Sequence, residues 1–361
     1  MPPAATAADV ISLRSNRVYA FRVAERLGGG RVLIDAGPDY EGAWEEAVGQ
    51  GYALGFAPQD VRAVIVTHGH ADHAGLAHRW AEAGARIFAG APDMTALTSG
   101  DGWREYQARR GRDELRRHGC PPATLERIEE RRRERSGALR WKGAPWGSVA
   151  PAVGDHVFPI EGADGEASLR IVSAPGHTPG NLGALVGETG ELYGGDTLLP
   201  GRIPSAGLHF HSSTGTPRWP SLPPYLGAVE WIAGLSLARL LPAHGAPGGA
   251  EDEAHSALDP ATEAQRFLTH HRRREARVRA ALGASAADGA TAYELARAIF
   301  PRLPEERIGQ AMTEVIGHLD VLLADGAAER TEDGEGWHYA RLAEGGARPC
   351  PTTPPRQVGD R

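Results

Sequence analysis

Short apolar runs alternate with amphipathic stretches over residues 18–245, and this alternation predicts a domain built from both strands and helices. The predicted strands are rich in β-branched and aliphatic residues, and they are 18–23, 31–37, 61–68, 86–90, 169–175, 182–187, 190–196 and 238–245. Helical periodicity is expected for residues 41–54 and 75–85. We therefore expect an α/β domain over residues 1–245.

A second, smaller domain is predicted after a break in this pattern. Residues 246–260 are small, acidic and flanked by proline, which is typical of a linker. Thr291 is followed three residues later by Glu294, the pattern of a capping box at the start of a helix. The segment 261–342 predicts helices at 261–282, 291–300 and 305–326 and a hairpin at 327–342. This order of helices and hairpin is typical of a winged-helix module. The tail 343–361 is predicted to be disordered.

An arginine-rich insert at 101–142 interrupts the first domain. It carries thirteen basic and eight acidic side chains, and the run 127–141 is typical of an exposed helix with mixed charges. A lid or a phosphate-facing arm is the alternative interpretation. In that case Arg104, Arg109 and Arg110 would bind a carboxylate or a phosphate.

The composition of the 361-residue chain argues against several classes of protein. The 46 acidic and 39 basic residues give a net charge of −7, which is unlike a dedicated nucleic-acid binder. The two cysteines exclude a disulfide scaffold and a cysteine-ligated zinc finger. The N-terminus has no signal-peptide pattern, and no run of about 18 apolar residues occurs. We expect a cytoplasmic location and no membrane partner.

One motif concentrates the chemistry of the chain. The sequence THGHADHAG, at residues 67–75, follows an apolar strand directly and contains His68, His70, Asp72 and His73. In an extended or turning loop, His68 and His70 can point the same way while the other two side chains turn towards a neighbouring position. This arrangement can offer imidazoles and a carboxylate to two adjacent cations. Zinc favours such nitrogen and oxygen donors, and manganese and iron accept them as well.

Three further segments place candidate ligands at the ends of predicted strands. His177 lies in APGHTPGN, Asp196 in GGDTLL and His244 in LPAHG. A carboxylate at position 196 is suited to bridging two metals. The complete candidate set is five histidines and two aspartates.

These residues resemble the motifs of the metallo-β-lactamase superfamily, over residues 18–245. The resemblance implies an αββα sandwich with two metals at one edge of two packed sheets, and here a C-terminal winged-helix domain. It also implies two zinc ions per chain, with manganese or iron as alternatives. By the resemblance, the first metal is held by His68, His70 and His177, the second by Asp72, His73 and His244, and Asp196 bridges them. Asp35 and Gly37, in LIDAG, match the residues that the family uses to support the site.

The expected activity is hydrolysis by a metal-bound hydroxide that attacks a carbonyl carbon or a phosphorus atom. Asp72 is the candidate catalytic residue, because its carboxylate can orient the nucleophile or relay its proton. The C-terminal module is similar to that of a β-lactamase-like subgroup in which some relatives are single-strand-specific endoribonucleases. Others in the wider family cleave thioesters.

Three functions remain open on the sequence alone. The first is a hydrolase of a thioester or ester-like acyl bond in a small molecule or an acyl carrier. The second is a metal-dependent endoribonuclease that cleaves single-stranded RNA, and the third is a non-catalytic metal-binding regulatory protein. The loop 201–225 is expected to pass the metals, and in it His209 and His211 either contact the substrate or have a local structural role. Phe210, Trp219 and Tyr225 either wall an apolar pocket or pack the loop. The sequence also leaves open whether the chain forms a homo-oligomer.

Overall fold

The computed structural model describes residues 8–136, 139–152, 156–162, 165–213, 215–245, 258–286, 288–334 and 336–342. The chain divides into two compact units, Met1–Asp113 with Glu129–Arg273 and Glu114–Ile128 with Arg274–Arg361. Most of the predicted linker and the whole predicted tail lie outside the described residues.

The first unit contains a six-stranded sheet whose strands follow one another in chain order. Its strands are β1 (Asp9–Leu13), β2 (Asn16–Arg22), β3 (Arg31–Ile34), β4 (Val61–Ile65), β5 (Arg86–Gly90) and β6 (Val149–Ala152). The first three strands pair antiparallel and the last four pair parallel. The carboxyl ends of β3 to β6 therefore lie at one edge of the sheet.

A second sheet in the same unit has five strands, in the order β13-β10-β9-β8-β7. These strands are β7 (Val157–Gly162), β8 (Gly165–Ser173), β9 (Leu182–Val186), β10 (Glu191–Gly195) and β13 (Arg239–Pro242). All neighbours are antiparallel except β10 and β13. Consequently β8, β10 and β13 run in the same direction and end at the same edge. A short hairpin, β11 (His209–Phe210) with β12 (Arg218–Trp219), follows β10.

The two sheets pack face to face, with helices on both outer faces. Alternate residues of a strand point to opposite faces, so Tyr19 and Phe21 of β2 lie between the sheets, whereas Val18 and Ala20 lie under the helices. The ring of Tyr193, from β10, contacts Tyr19 and Phe21 edge-on, at centroid distances of 4.8 and 4.9 Å. The helices of this unit begin with α1 (Ala43–Ala53), α2 (Ala71–Ala74), α3 (Ala77–Glu82) and α4 (Met94–Ser99). The predicted αββα sandwich is confirmed.

The remaining helices are α5 (Asp101–Arg117), α6 (Pro122–Ser136), α7 (Leu222–Gly234), α8 (Pro260–Gly283), α9 (Ala292–Ile299) and α10 (Ile308–Ala324). The predicted insert thus forms two helices, α5 and α6, where the sequence indicated one exposed helix. Within the described residues, no helix combines the length and the apolar character needed to cross a bilayer.

The second unit contains α9, α10 and the hairpin of β14 (Ala328–Glu332) with β15 (Trp337–Arg341). The capping box of α9 is present, because Thr291 Oγ1 accepts from Glu294 N at 3.2 Å and the Glu294 carboxylate accepts from Thr291 N at 2.9 Å. The segment 114–128 of the insert also belongs to this unit, where Thr124 Oγ1 donates to Glu305 at 2.7 Å. The winged-helix assignment stays a prediction.

Candidate metal centre

Four loops bring the seven candidate ligands to one edge of the sandwich. His68, His70, Asp72 and His73 follow β4, and the other three follow strands of the second sheet that run in the same direction. His177 follows β8, and Asp196 and His244 follow β10 and β13. Because the carboxyl ends of parallel strands meet at one edge, residues far apart in the sequence become neighbours.

The first ligand group consists of three imidazoles. His70 Nδ1 lies 2.9 Å from His68 Nε2 and 3.1 Å from His177 Nε2. Ligand atoms around a tetrahedral zinc ion, each at 2.0–2.1 Å from the metal, are about 3.3 Å apart. These three nitrogen atoms therefore have nearly the spacing that one cation requires.

The second ligand group consists of two imidazoles and a carboxylate. His73 Nε2 lies 3.2 Å from His244 Nε2, and Asp72 Oδ2 lies 3.4 Å from His244 Nε2 and 3.7 Å from His73 Nε2. This spacing also fits a single cation.

Asp196 lies between the two groups. Its Oδ2 is 3.8 Å from His177 Nε2 in the first group, and its Oδ1 is 3.5 Å from His73 Nε2 and 3.3 Å from His244 Nε2 in the second. Each carboxylate oxygen thus faces a different group, as a bridging ligand requires. The structure brings together all seven residues that the sequence singled out.

The hydrogen-bond partners of the imidazoles show that lone pairs converge on the centre. His73 Nδ1 donates to Asp35 Oδ2 at 2.8 Å, and His177 and His244 use Nδ1 to donate to the carbonyl oxygens of Ser205 and Ser15 at 3.1 and 3.2 Å. Since carbonyl oxygens only accept, the Nε2 atoms of neutral His177 and His244 carry lone pairs. The Nε2 lone pairs of these two rings point into the centre, and together with the carboxylates of Asp72 and Asp196 they form a nitrogen and oxygen donor set that fits metal ions.

Electrostatics also favour a cation here. Burial lowers the pKa of His73, but Asp35, Asp72 and Asp196 raise it by more, to about 10. By contrast, burial and the neighbouring His70 lower the pKa of His177 to about 4. The carboxylates therefore attract positive charge to the second group. The imidazoles of the first group stay neutral, so their nitrogen lone pairs are available to a metal.

Asp35 connects the ligands to the first sheet, as the sequence suggested. Its Oδ1 accepts from Thr67 N at 2.7 Å and from Thr67 Oγ1 at 2.8 Å, while Oδ2 orients His73. Its φ of 67° is left-handed, a conformation that aspartate tolerates better than most residues. Gly37 has a φ of 86°, which strains any residue with a side chain, and a Cβ there would lie 2.5 Å from Leu13 Cδ1, so that Leu13 would have to move.

Sequence reasoning missed a buried carboxylate that joins two ligand loops. Asp93 Oδ2 accepts from Gly69 N at 2.8 Å and from Thr178 Oγ1 at 2.6 Å, and Oδ1 accepts from Gly180 N at 2.9 Å. A Cβ at Gly180 would lie 2.7 Å from Asp93 Cγ. Asp93 thereby fixes the neighbours of His70 and His177 to one another. The residue follows β5 without a recognisable motif, so only the glycines of these loops could have indicated it.

A cavity of about 420 Å³ opens beside His70. Five of the residues that we expected to contact the substrate line this cavity, and they are Arg104, His209, Phe210, His211 and Trp219. Tyr225 is not part of this wall. It is fully buried, and its hydroxyl donates to the backbone oxygen of Thr197 at 2.8 Å. Of the two interpretations of Tyr225, the structure therefore contradicts the pocket wall and favours packing, because the ring extends from α7 into the core.

The arginines of α5 differ in their surroundings. Arg109 is exposed, whereas Arg110 donates to the Thr216 carbonyl oxygen at 3.1 Å and lies over the Phe210 ring at 5.0 Å. His209 Nε2 donates to the His177 carbonyl oxygen at 2.8 Å. Burial, followed by the neighbouring His70 and His177, lowers the pKa of His209 to about 3, so the ring is neutral.

Comparison with known proteins gives one consistent family. Residues 16–269 match the Metallo-beta-lactamase superfamily. The chain is 24% identical over 325 residues to the "Probable metallo-hydrolase YqjP" of Bacillus subtilis (strain 168), which covers 89% of this chain and 94% of that protein. It is 28% identical over 188 residues to the "Lactamase-like protein nscB" of Neosartorya fischeri, which covers 48% of each.

Solved structures share the fold over nearly the whole chain. The metallo-beta-lactamase family protein TTHA1429 from Thermus thermophilus aligns with a TM-score of 0.66 and 24% identity, covering 93% of this chain and 98% of that one. A beta-lactamase domain protein from Burkholderia ambifaria aligns with a TM-score of 0.67 and 23% identity, covering 92% and 91%. With the ligand geometry and the family match together, the chain belongs to the metallo-β-lactamase superfamily.

Proposed function

We propose that this chain is a binuclear metal-dependent hydrolase that cleaves a thioester or ester-like acyl bond of a small molecule or an acyl carrier. The observation that carries the binuclear assignment is the position of Asp196, whose two oxygens face two different ligand groups. The donor set of nitrogen and carboxylate oxygen favours zinc, with manganese and iron as alternatives.

The residues of the chain have distinct tasks in this proposal. His68, His70 and His177 would hold one divalent cation, Asp72, His73 and His244 the other, and Asp196 would bridge them. When bound, such cations lower the pKa of water and polarise a carbonyl oxygen. Asp72 is more exposed than Asp196, with 34% against 13% of the side chain accessible. We therefore assign to the Asp72 carboxylate the transfer of a proton from the attacking water to solvent.

The surroundings of the centre support an acyl bond over a phosphodiester. Binding of a nucleic-acid backbone depends on arginine and lysine side chains that neutralise phosphates. Among the described residues that line the cavity, Arg104 is the single arginine or lysine, and its guanidinium lies 3.1 Å from Asp101. A paired cation of this kind leaves little positive charge for a polyanion.

The test combines metal analysis with a substrate panel. Protein would be stripped with a chelator, reloaded with zinc, manganese or iron, and assayed on aryl and alkyl thioesters, esters, a phosphodiester and a single-stranded RNA. We expect two metals per chain and metal-dependent turnover of the acyl substrates. His70→Ala should lose metal and turnover together, whereas His156→Ala, a histidine outside the ligand groups, should keep both.

Three results would overturn this assignment in different ways. Equal activity after chelation would exclude the metal-dependent mechanism. Salt-sensitive cleavage of RNA without thioester hydrolysis would favour the endoribonuclease. Two tightly held metals without turnover of any substrate would favour a regulatory protein. A cytoplasmic location and a homo-oligomer stay predictions, for which fractionation and size-exclusion chromatography are the measurements.

A further inference from the structure

We propose that the cavity beside His70 binds a neutral, planar aromatic group on the acyl side of the substrate. This proposal rests on the proposed acyl hydrolase and specifies its substrate class. His70 belongs both to the first ligand group and to the cavity lining. A group held in the cavity would therefore lie next to the bond that is cleaved.

The lining of the cavity is aromatic far beyond the average of the chain. Four of its twenty lining residues are phenylalanine or tryptophan, while aromatic residues make up only 6% of the chain. These four, which we call the aromatic wall, are Trp103, Trp141, Phe210 and Trp219. They come from α5, from the segment before β6 and from both strands of the β11–β12 hairpin. Aromatic side chains favour a planar ring, which can stack or pack edge-on against them.

The same lining disfavours a flexible alkyl chain. Among its described residues, Leu208 is the single leucine, isoleucine, valine or methionine. Pockets that receive aliphatic chains depend on such side chains for contact area. The volume of about 420 Å³ lies in the range of drug-sized ligand pockets and is sufficient for a fused ring system.

Charge in the cavity is compensated, which favours a neutral group. Arg104 is paired with Asp101, and the carboxylate of Asp93 accepts three hydrogen bonds from its own surroundings. An ionised group entering the cavity would lose hydration without gaining an unpaired partner of opposite charge.

The wall is held in place before a substrate arrives. Gln107, on α5, donates from Nε2 to the Phe210 carbonyl oxygen at 2.8 Å and accepts from Phe210 N at 3.0 Å through Oε1. Tyr106, on the same helix, donates to the His211 carbonyl oxygen at 2.6 Å. These contacts join the helix to the backbone of Phe210 and of the following residue, His211. A preorganised wall of this kind discriminates substrates by shape at low entropic cost.

The test compares two acids that share a carboxylate and differ in the attached group, 2-naphthoate and octanoate. Their binding to zinc-loaded protein would be measured by calorimetry and by quenching of tryptophan fluorescence. We expect naphthoate to bind at least about tenfold more tightly than octanoate. Phe210→Leu and Trp219→Leu, which remove a ring and keep an apolar side chain, should weaken naphthoate about five- to tenfold and leave octanoate unchanged. Trp231→Leu, at an exposed tryptophan of α7, is the matched control and should change neither affinity.

Thermal unfolding and metal content of each variant would show that the fold and the centre are intact. Equal affinity for both acids, or naphthoate binding that is insensitive to both ring substitutions, would overturn the aromatic assignment. Hydrolysis of 2-naphthoyl and octanoyl thioesters, measured in parallel, separates the two proposals. Equal rates on both thioesters would leave the acyl hydrolase standing and reject the aromatic pocket. Ring-dependent naphthoate binding without any thioester hydrolysis would support the aromatic pocket and reject the acyl hydrolase.

Discussion

The metal centre and the aromatic wall lie side by side but are built in different ways. In the metal centre, ligands come from loops that follow strands of both sheets, and His73 and His177 are fixed through the ring nitrogen that faces away from the centre. In the aromatic wall, Phe210 and Trp219 lie on a hairpin with strands of two residues each, and α5 holds this hairpin through hydrogen bonds to its backbone. The comparison indicates that the chemistry is anchored in the sandwich itself. In our proposal, selection of the substrate depends on the hairpin and α5, which are additions to the sandwich.

The largest effect is expected where the two ligand groups meet. Asp196→Ala removes a carboxylate that faces both groups, so we expect loss of at least one metal. Turnover should fall by at least about a thousandfold, because a metal contributes several kcal/mol to the transition state and each ~1.4 kcal/mol is a factor of ten. Metal analysis and steady-state kinetics are the measurements. Phe210→Leu in the aromatic wall is the contrast and should keep both metals.

This contrast would fail if Asp196→Ala kept two metals and wild-type turnover. In that case Asp196 would be a neighbour of the centre and not a bridge. A loss of metal in Phe210→Leu would also contradict the separation of the two regions.

Substitution of Asp93 tests whether the loops of His70 and His177 depend on the hydrogen bonds by which Asp93 joins them, which we call the clamp. Asp93→Ala leaves the N–H groups of Gly69 and Gly180 and the hydroxyl of Thr178 without their acceptor, each at a cost of about 1–3 kcal/mol when buried. Because this clamp positions the loops of His70 and His177, we expect metal affinity to fall about 10- to 100-fold. Competition with a chromophoric chelator would measure it. Asp93→Asn should rescue affinity only in part, since its amide group faces donors.

A matched control for Asp93 is Asp60, whose carboxylate also accepts a backbone N–H, from Ala57 at 2.8 Å, but in an exposed turn. Asp60→Ala should leave metal affinity unchanged. If Asp93→Ala lowered the unfolding temperature without changing metal affinity, the clamp would support the fold alone.

The ligands could be predicted from the sequence because they are local. Four of the seven lie within six positions after one strand, and the other three each end or follow an apolar run that predicts a strand. The central strands were predictable for the same reason, since they are continuous apolar segments, whereas the αββα sandwich was expected from the family resemblance. In the two large sheets, the pattern missed β1, β6 and β7, and all three are at the edge of a sheet. Edge strands tolerate polar residues and proline, such as Pro151 and Pro159 here, and so lose the apolar signal.

The residues that hold the site in place, Asp93 and Gln107, could not be predicted because their hydrogen-bond partners are distant in the sequence. Asp93 bonds residues 24, 85 and 87 positions away, and Gln107 bonds a residue 103 positions away. Neither residue lies in a motif, and an aspartate or a glutamine in a polar segment predicts only surface. Helix α7 was missed for a local reason, because two prolines stand near its start. Proline fits the first turn of a helix, yet it interrupts the helical pattern that sequence reasoning relies on.

Gln107 tests how strongly the wall depends on α5. Gln107→Leu removes both hydrogen bonds to the backbone of Phe210, so the hairpin should lose its fixed position. We expect KM for an aromatic thioester to rise about tenfold, with kcat within about twofold, because the metal centre is untouched. Steady-state kinetics on 2-naphthoyl and octanoyl thioesters would show the change in the first and not in the second.

The chain offers a matched control in Gln50, which bonds the backbone N–H and carbonyl of Ser12 at 2.9 and 2.7 Å in the same way. Gln50→Leu loses the same two hydrogen bonds at β1. It should lower the unfolding temperature and leave KM unchanged. A rise in KM for both variants would mean that the effect reports general loosening of the fold.

The smallest effect separates the two neighbouring arginines of α5. Arg110 lies over Phe210 and bonds the Thr216 carbonyl oxygen, so Arg110→Ala should raise KM for the aromatic thioester about threefold, as loss of a partly exposed cation–π contact would. Arg109 is exposed, and Arg109→Ala should change nothing. The two arginine variants also test the alternative role of α5 in binding an anionic substrate. If α5 were instead an arm that binds a phosphate or a carboxylate of the substrate, Arg109→Ala would raise KM for an anionic acyl-carrier thioester and the effect would shrink with salt. That result would move substrate recognition from the aromatic wall to the surface of α5.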